Sequence, residues 1–273
     1  MSLPDFEPVA LRAMIERALL TEPTLARAEA LWRGVAPEVL SRNHGRAPGV
    51  LRASDAGRCS RELWAEIHGK RDLPEDAQGL LKMNLGSCAG AWLACLLGAA
   101  AEEQGYVASA EVALGGPPTA LVSGHCDLAI YRELNGALDP LLVVEFKFSA
   151  WTGAHDGPKP YHLVQACKYA RLIGAPYFCV VLYYPSTQAR FDKTIGTKVS
   201  EPHIEPSQLY DANDPKILSD MNADYERLAK ALNDEMPEGD PQEAFRCRSC
   251  RFSECERNVN VKNIRHHEPV PSL

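Results

Sequence analysis

The sequence predicts an α/β fold, in which a sheet is sandwiched between helices, and three observations lead to it. Apolar residues recur at helical spacing as far as about residue 105, and the period then changes to two over four segments. A further helical segment separates the last two of these. The order helix, strands, helix, strand is typical of a sheet covered by helices. The 273 residues are enough for one large domain, or for one domain with an appended part.

The helical segments come first along the chain. Helices are expected over residues 5–20, 24–32 and 79–105, and the last is long, Ala-rich and mostly buried. Residues 42–50 are predicted to form a loop. Ser54 is expected to N-cap a helix that runs through Ile67 and ends near Gly69, which would place Cys59 in the first turns of that helix.

Four strands are predicted from segments rich in Val, Tyr, Phe and Leu that are bounded by Gly, Pro and Asn. They cover residues 107–114, 120–131, 141–148 and 177–184. A helix over 161–173, closed by Gly174 and Pro176, separates the last two strands. A final helix is expected over 217–232, before a cysteine-rich segment.

Composition limits the classes of function. The net charge of -7 argues against a protein that coats nucleic acid over its whole surface, although it permits a local basic groove. No apolar run approaches the twenty or so residues of a membrane span, and the N-terminus lacks the features of a signal peptide, so the cytoplasm is the expected compartment. Nine cysteines without an export signal indicate metal or cluster ligation rather than disulfides.

The strand V-V-E-F-K-F carries two charges in an apolar run. Residues two apart on a strand share a face, so Glu145 and Lys147 should lie on one face while Val144, Phe146 and Phe148 pack under a helix. In the preceding strand, Asp127 is expected on the same face as His125, with Val122, Cys126 and Leu128 opposite. Two carboxylates from neighbouring strands would then converge with an ammonium group.

Such a group is costly in a partly buried site unless something compensates it. A Mg²⁺ or Mn²⁺ ion would hold Asp127 and Glu145 ionised, lower the pKa of a bound water and stabilise charge on a phosphoryl oxygen. Lys147 would then position or deprotonate the water, or stabilise the phosphate. The alternative is a structural Glu–Lys pair at a strand edge.

The order of the motifs favours the functional interpretation. G-x-x-D ends at Asp127, E-x-K contains Glu145 and Lys147, and Q-x-x-x-Y follows with Gln165 and Tyr169 on one helix face. Here the sequence resembles the PD-(D/E)XK nuclease superfamily, and within it the RecB-like nucleases that include Cas4-like exonucleases and related phage enzymes. The resemblance implies a restriction-endonuclease-like core and a Mg²⁺- or Mn²⁺-dependent deoxyribonuclease, in particular a single-strand exonuclease.

The resemblance also implies the role of each residue. Asp127 and Glu145 would bind the metal with the carbonyl of Phe146, Lys147 would be catalytic, and Gln165 and Tyr169 would contact DNA and organise the site. Many of these nucleases have a further ligand, a His four residues after a Gly in the preceding helix. After Gly86 that place is taken by Gly90. His125 is the candidate replacement, and the rival function is a subunit that binds nucleic acid or assembles a complex without cleaving.

A cysteine cluster lies near the end of the chain. Cys247, Cys250 and Cys255 form C-x2-C-x4-C, which needs a fourth ligand. The segment around Cys59 resembles the N-terminal cysteine region of Cas4-like proteins, and the resemblance implies that the four hold a structural [4Fe-4S] cluster. A zinc site, or thiols without a metal, are the alternatives. The other five cysteines are expected to be small core residues.

The resemblance and the cysteines also set the expected organisation. Residues 1–50 would be a helical extension, and residues 51–273 a nuclease domain whose ends the cluster would clip together, so that its loss would loosen the whole domain. Basic residues flank both cysteine segments and could form one track for DNA, with Trp64 or Trp151 stacking on bases. Alternatively, their side chains offset the negative charge of the cluster and are otherwise solvated. These basic residues are Arg42, Arg46, Arg52, Arg58, Arg61, Arg246, Arg248, Arg251, Arg257, Lys262 and Arg265.

Overall fold

The computed structural model describes residues 6–41, 51–71, 77–115, 122–148, 157–184, 190–192, 197–199, 203–240, 247 and 250–255. The helices are α1 (Pro8–Leu20), α2 (Glu22–Ser41), α3 (Ser60–Ile67), α4 (Ala77–Glu103), α5 (Pro160–Ile173) and α6 (Pro215–Ala229). The strands are β1 (Leu51–Arg52), β2 (Val107–Leu114), β3 (Val122–Leu134), β4 (Ala137–Phe148), β5 (Tyr177–Tyr184), β6 (Arg190–Asp192), β7 (Thr197–Val199), β8 (His203–Pro206) and β9 (Tyr210–Asp211).

A mixed sheet of seven strands forms the centre of the molecule. Its order is β1-β3-β4-β5-β8, while β2 pairs with β3 and β9 pairs with β5; β6 and β7 form a separate ribbon. Strands β2, β3 and β4 are antiparallel neighbours. Asn135 and Gly136, which both have positive φ angles, make the two-residue turn between β3 and β4. Strands β4 and β5 are parallel, so α5 serves as the crossover between them.

Helices cover both faces of this sheet. On one face, α1, α2 and α4 pack on residues such as Leu128 and Val144. On the other face, α5 and α6 pack on residues such as Val143 and Val180. The segment predicted as an N-terminal extension belongs to the first of these cores, because Phe6 and the inward face of α1 are buried there.

Helix α4 is apolar on every side. By length and composition its segment Gly79–Glu103 could cross a membrane, and within the parts of the chain that the structure covers it is the one helix that meets this test. Leu93, Leu96 and Leu97 on α4 lie in the core between α1 and the sheet. Packing inside the α/β core explains the apolar residues in the second half of the helix, whereas Leu81, Met83 and Leu85 in its first half are exposed.

The predicted strands and most helices are present with small shifts of their ends. The strands over 107–114 and 177–184 have the predicted bounds, and β3 and β4 extend toward their shared turn. Helix α2 continues past the predicted end at Trp32 to Ser41, with Pro37 inside it. The short strands β1 and β6 to β9 were not predicted, because two to four residues carry too little periodicity.

The prediction that Ser54 caps the helix of Cys59 is wrong. Ser54 lies in a separate 3-10 turn, Ala53–Asp55, and α3 begins only at Ser60, with Cys59 as its N-cap. Gly57 interrupts the helix with a φ of +73°. A Cβ at Gly57 would lie 2.6 Å from Cβ of Tyr161, so this turn packs directly on the start of α5.

Candidate active site

The polar centre of the molecule lies where β4 faces α5. Glu145 on β4 is only 2% exposed, and its Oε1 accepts hydrogen bonds from Lys147 Nζ at 2.6 Å and from Gln165 Nε2 at 2.7 Å. Lys147 Nζ also donates to Gln165 Oε1 at 2.8 Å. The structure therefore brings three of the predicted site residues into one closed ring of hydrogen bonds.

Burial determines the charge of Glu145. Its pKa is raised to about 8, first because the carboxyl group is removed from water and second because Asp127 is near; Lys147 opposes the shift but does not overcome it. The Oε2 atom of Glu145 is buried and has no hydrogen-bond partner among the residues described. A buried carboxylate oxygen without a partner is unfavourable, so this atom indicates a place for a ligand.

The described backbone pairing between β3 and β4 stops just before Asp127, the residue that would pair with Glu145. The described pairing of β3 with β4 runs from the turn as far as Leu128, which is opposite Val144. One residue further, Asp127 Oδ2 accepts the backbone N–H of Phe146 at 2.7 Å. The side chain thus replaces a backbone acceptor, and its charge remains close enough to raise the pKa of Glu145.

Strand β3 does not keep the alternation of faces that the sequence predicts. Cys126 packs in the core on the α5 side, whereas Leu128 packs on the α4 side. The prediction that these two residues share a face is therefore wrong. Strand β2 changes face at the same level, because Ala110 packs on the α4 side and Val112 on the α5 side. Between them, Glu111 has a φ of +56°.

Gln165 and Tyr169 lie one turn apart on α5, on the face that meets the sheet. The Nε2 atom of Gln165 is 3.5 Å from Tyr169 Oη. Tyr169 is 2% exposed, and burial, with Glu145 nearby, raises its pKa well above 10, so the phenol stays protonated. A Cβ at Gly124 would lie 2.9 Å from Tyr169 Oη. The glycine of G-x-x-D therefore makes room for this tyrosine, a link that the sequence analysis missed.

Two positions bear on the predicted additional metal ligand. His125 Nε2 lies 2.9 Å from Glu38 Oε1, so this nitrogen is engaged with α2. Gly90 on α4 is next to β4, since a Cβ there would be 3.6 Å from Cβ of Phe146, an ordinary contact distance. A glycine, and not a histidine, thus faces the strand that carries Glu145.

Asp127, Glu145 and the carbonyl of Phe146 are the groups that could hold a divalent cation. Carboxylate and carbonyl oxygens are the donors that Mg²⁺ and Mn²⁺ prefer, and the partnerless Glu145 Oε2 fits such a ligand. In the described segments no group of three or more His, Cys, Asp or Glu side chains is arranged to hold a metal ion. A cation at this two-carboxylate site would therefore keep several water ligands, as Mg²⁺ usually does.

Three of the four predicted cluster cysteines lie near one another beside α3. Cys59 is the N-cap of α3, and Cys250 and Cys255 are buried against Ala65 in this helix. Burial raises the pKa of Cys250 to about 11, and Cys255 and Cys59 are near enough to add to the shift. Cys247 lies on the same C-terminal segment, and none of the nine cysteines forms a disulfide. The thiols of Cys59, Cys250 and Cys255 thus lie near one another. Among the described residues, however, no three His, Cys, Asp or Glu side chains are arranged to hold a metal ion.

The C-terminal part of the chain is held to α3 by contacts that involve no sulfur. Three residues of α3 donate hydrogen bonds to acceptors in the segment that follows α6. The pairs are Ser60 N and Oγ with Asp240 Oδ1, both at 2.7 Å, Arg61 Nε with the carbonyl of Pro237 at 2.9 Å, and Trp64 Nε1 with the carbonyl of Asn233 at 3.0 Å. The two distant parts of the chain therefore meet through direct hydrogen bonds.

Two arginines of the predicted DNA track are used inside the fold. Arg58 pairs with Asp55, Glu62 and Glu66 at 3.2, 2.9 and 2.7 Å, and Arg61 is only 9% exposed. Acidic partners hold the guanidinium group of Arg58, and burial removes that of Arg61 from the surface. The interpretation of these two residues as part of a DNA track is therefore wrong. Trp151 and the predicted track residues 42, 46, 246, 248, 257, 262 and 265 lie outside the described residues.

A buried charge cluster between α5 and α6 was also missed. Lys168 is fully buried, and its Nζ lies 2.6 Å from Asp224 Oδ2 and 4.4 Å from the centre of the Tyr225 ring. Asp224 Oδ1 accepts the N–H of Gly57 at 3.2 Å and a hydrogen bond from Arg227. Lys168 and Asp224 are 56 residues apart, so no local pattern signals this pair.

The comparisons with known proteins bear on the fold. No family model matches the sequence, and no curated protein matches it. Among solved structures, the crystal structure of SSO0001 is similar, with a TM-score of 0.50 at 17% identity, over 85% of this chain and 96% of that one. An alkaline exonuclease (LHK-Exo) from Laribacter hongkongensis matches with a TM-score of 0.33 at 14% identity, over 67% of this chain and 90% of that one.

The likeness to SSO0001 extends over most of both chains. The predicted fold class is confirmed as an α/β fold with a central mixed sheet flanked by helices. At 17% identity the match concerns the fold alone.

Proposed function

We propose that the protein is a metal-dependent nuclease that hydrolyses phosphodiester bonds in DNA at the Glu145 centre. The observation that carries this proposal is the buried Oε2 atom of Glu145, which lacks a hydrogen-bond partner among the described residues and lies beside Lys147 and Asp127. An anionic oxygen in this state suits a hard divalent cation.

Asp127, Glu145 and the Phe146 carbonyl would hold Mg²⁺ or Mn²⁺. When bound, such a cation lowers the pKa of a bound water and stabilises charge on a phosphoryl oxygen. It would also offset the burial that otherwise favours the protonated form of Glu145.

Lys147 would act on the substrate from a fixed position. Its Nζ is held between Glu145 Oε1 and Gln165 Oε1, at 2.6 and 2.8 Å, which leaves one of its three donors for a phosphate oxygen or for the attacking water. Gln165 aims this ammonium group, and Tyr169 supports Gln165 from the next turn of α5. Lys147 thus holds or moves a proton at the scissile phosphate while Gln165 fixes its direction.

The finer features of the proposal come from the motif resemblance. Single-stranded DNA ends would be the substrate, and Cys59, Cys247, Cys250 and Cys255 would hold a structural [4Fe-4S] cluster. A zinc ion at the same cysteines is the alternative. The cytoplasm, which keeps thiols reduced, is the compartment that such a protein requires.

A second candidate function follows from Gly90. Without a ligand from α4, the fold would serve as a nucleic-acid-binding or complex-assembly subunit and would not cleave. The position of Gly90 next to Phe146 supports this rival, because a histidine there would lie against the strand of the proposed metal ligands.

A cleavage assay separates the two functions. Fluorescent single-stranded DNA is incubated with Mn²⁺ and wild type, Glu145→Gln or Lys147→Met. We expect wild-type cleavage that both substitutions reduce by at least about a hundredfold, in the range typical of a lost acid–base or metal-binding group. Wild-type cleavage no faster than that of the variants, together with unchanged DNA binding, would support the binding subunit instead.

The cysteine site needs its own measurement. An anaerobic preparation that is brown and contains about four irons per chain supports the cluster. A colourless preparation with one zinc per chain would support the alternative and leave the nuclease proposal untouched.

A further inference from the structure

Glu111 is a buried acidic residue of the sheet to which the proposed chemistry gives no role. It lies within β2, is 6% exposed and has a φ of +56°. Residues with a Cβ adopt this left-handed conformation rarely, and it is foreign to a regular strand. A backbone outlier beside a candidate active site is a reason to look for a function in the conformation itself.

The two halves of the β2–β3 ribbon face opposite ways. In one half, a Cβ at Gly98 of α4 would lie 3.3 Å from Ala108 Cβ and 3.5 Å from Leu128 Cδ1. In the other half, Gly124 faces the ring of Tyr169 on α5. Gly124 and Leu128 are four residues apart and would share a face in a regular strand. The ribbon therefore makes a half-turn between them.

This half-turn falls on Asp127. The pairs Ala110↔Leu128 and Val112↔Cys126 flank Glu111 on one strand and Asp127 on the other, so the two acidic residues are cross-strand neighbours. Alternation counted from Leu128 would point Asp127 to the α5 face, with Glu145, whereas alternation counted from Cys126 would point it to the α4 face. The rotation lets Asp127 Oδ2 accept the N–H of Phe146 at 2.7 Å, next to Glu145.

We propose that Glu111 is a positioning residue. Its left-handed backbone turns the β2–β3 ribbon by half a turn and thereby sets the Asp127 carboxylate beside Phe146 and Glu145. The value of this placement for metal binding rests on the proposed function, whereas the placement itself can be measured without metal. Because the proposed role lies in the backbone, glycine at position 111 should preserve the placement of Asp127, and a β-branched residue should not.

Hydrogen exchange of the Phe146 amide, followed by NMR in the absence of divalent cations, tests the placement. In Glu111→Gly we expect the exchange rate to stay within about threefold of wild type, since the left-handed conformation is retained. In Glu111→Val it should rise by about tenfold or more, the effect of losing one hydrogen bond of ordinary strength. Ser109→Val is the matched control, because Ser109 is an exposed residue of the same strand, and it should leave the rate unchanged.

Protection of the β4–β5 ladder amides shows whether Glu111→Val remains folded. If it unfolds, Glu111→Ala replaces it in the comparison, with a smaller increase expected because alanine has no β-branch. A Phe146 amide that stays protected in the folded Val or Ala variant would overturn the proposal. So would loss of protection in Glu111→Gly.

Mn²⁺ titration of the same proteins separates this proposal from the proposed function. We expect Glu111→Val to bind Mn²⁺ about tenfold more weakly than Glu111→Gly, because both variants lack the Glu111 carboxylate and only the valine variant misplaces the Asp127 carboxylate, which then loses a charge-assisted contact. If wild type binds no Mn²⁺ while the exchange pattern is as expected, the metal centre is refuted and the positioning role stands. If Mn²⁺ binds wild type and Glu111→Val equally while Phe146 stays protected in both, the positioning role is refuted and the metal centre stands.

Discussion

The two oxygens of the Glu145 carboxyl group differ in their hydrogen bonding. Its Oε1 holds Lys147 and Gln165, whereas Oε2 is buried without a partner among the described residues. Desolvation and the Asp127 charge together favour the protonated form, and only a cation would reverse this. The protonation state of this one residue therefore links the stability of the fold to occupancy of the site.

We predict that the free energy of unfolding falls as pH rises when no divalent cation is present. The Glu145 carboxyl loses its proton near 4.5 in its usual surroundings but retains it to about 8 in the folded protein. The folded state thus binds more protons across this window, and stability declines as pH rises through it. Urea denaturation in the presence of EDTA measures the profile, and Glu145→Gln, which does not titrate, should have a flatter one.

Added Mn²⁺ provides the control for this prediction. The cation competes with the proton, so it should stabilise wild type more at pH 8 than at roughly pH 5, and it should stabilise Glu145→Gln little at either pH. Parallel pH profiles for the two proteins would contradict the assignment to Glu145.

The contact between Gly90 and β4 supports a gain-of-function prediction. Gly90→His should raise the affinity for Mn²⁺ by about tenfold, because a Cβ there meets Phe146 at an unstrained 3.6 Å and an imidazole adds a ligand beside the carboxylates. Gly86→His is the matched control, since it lies one turn earlier on α4 and faces Phe148 at 3.4 Å. Isothermal titration calorimetry compares the two, and equal affinities would show that α4 does not supply ligands to this centre.

At the scale of elements, α5 connects the polar centre to the rest of the fold. Gln165 and Tyr169 face the sheet, and Lys168, between them in sequence, is buried against α6. Asp224 of α6 receives Lys168 and also the N–H of Gly57, two residues before Cys59. Asp224 therefore holds in place both α5, whose Gln165 orients Lys147, and the turn before α3.

Asp224→Asn should destabilise the protein more than Lys168→Met. Removing the carboxylate leaves the fully buried Lys168 without its partner, which costs about 3–5 kcal/mol. Removing the ammonium leaves Asp224 still bonded to Gly57 and Arg227, so a loss of about 1–3 kcal/mol is expected. Urea denaturation gives both values, with the exposed Lys216→Met of α6 as a control that should change stability by less than about 0.5 kcal/mol. The reverse order of the two losses would contradict this account.

The elements that the sequence predicts well are those whose periodicity persists over a full strand or helix. Strands β2 and β5 have the predicted bounds, and β4 places Glu145 and Lys147 on the face opposite Val144 and Phe146. Alternation fails at Asp127, because a single left-handed residue in the neighbouring strand, Glu111, rotates the ribbon. No pattern in the sequence signals that backbone angle.

The remaining errors have a common physical origin in contacts between distant parts of the chain. Gly57 ends a predicted helix because the ring of Tyr161, more than a hundred residues later, occupies the space beside it. Arg58 was interpreted as part of a DNA track, but acidic residues on both sides of it in sequence fold back on its guanidinium group. Such pairings are decided by tertiary packing, which local propensity does not encode.

At the scale of the whole molecule, the start of α3 and the segment after α6 form one unit. Hydrogen bonds from Ser60, Arg61 and Trp64 join parts of the chain that are about 170 to 180 residues apart in sequence. Closing so long a loop has an entropic cost, but this cost grows only slowly with the length of the loop. A few hydrogen bonds and the burial of Phe252 can therefore offset a useful part of it. A metal or cluster bound by the proposed cysteine ligands would add to these contacts.

Loss of the cysteine site should therefore loosen only the last described segment. In Cys250→Ser we expect the Trp64 indole N–H, which donates to Asn233, to keep its protection from hydrogen exchange. In Asp240→Ala, which removes the acceptor of two Ser60 hydrogen bonds, stability should fall by about 1–3 kcal/mol and the Trp64 indole should exchange faster. NMR exchange and urea denaturation measure both, and an unprotected Trp64 in Cys250→Ser would show instead that the cysteines hold the unit together.

The cysteines outside this unit have a practical consequence for handling the protein. Burial raises the pKa of Cys95 and Cys179 to about 12 and that of Cys167 to about 11, and it raises that of Cys126 as well. Alkylating reagents attack thiolates, so these four sulfurs should be silent to iodoacetamide in the native state. Mass spectrometry of natively alkylated protein then counts the other thiols alone, and among the four predicted cluster cysteines the half-buried Cys247 is the one whose missing label would report a bound group.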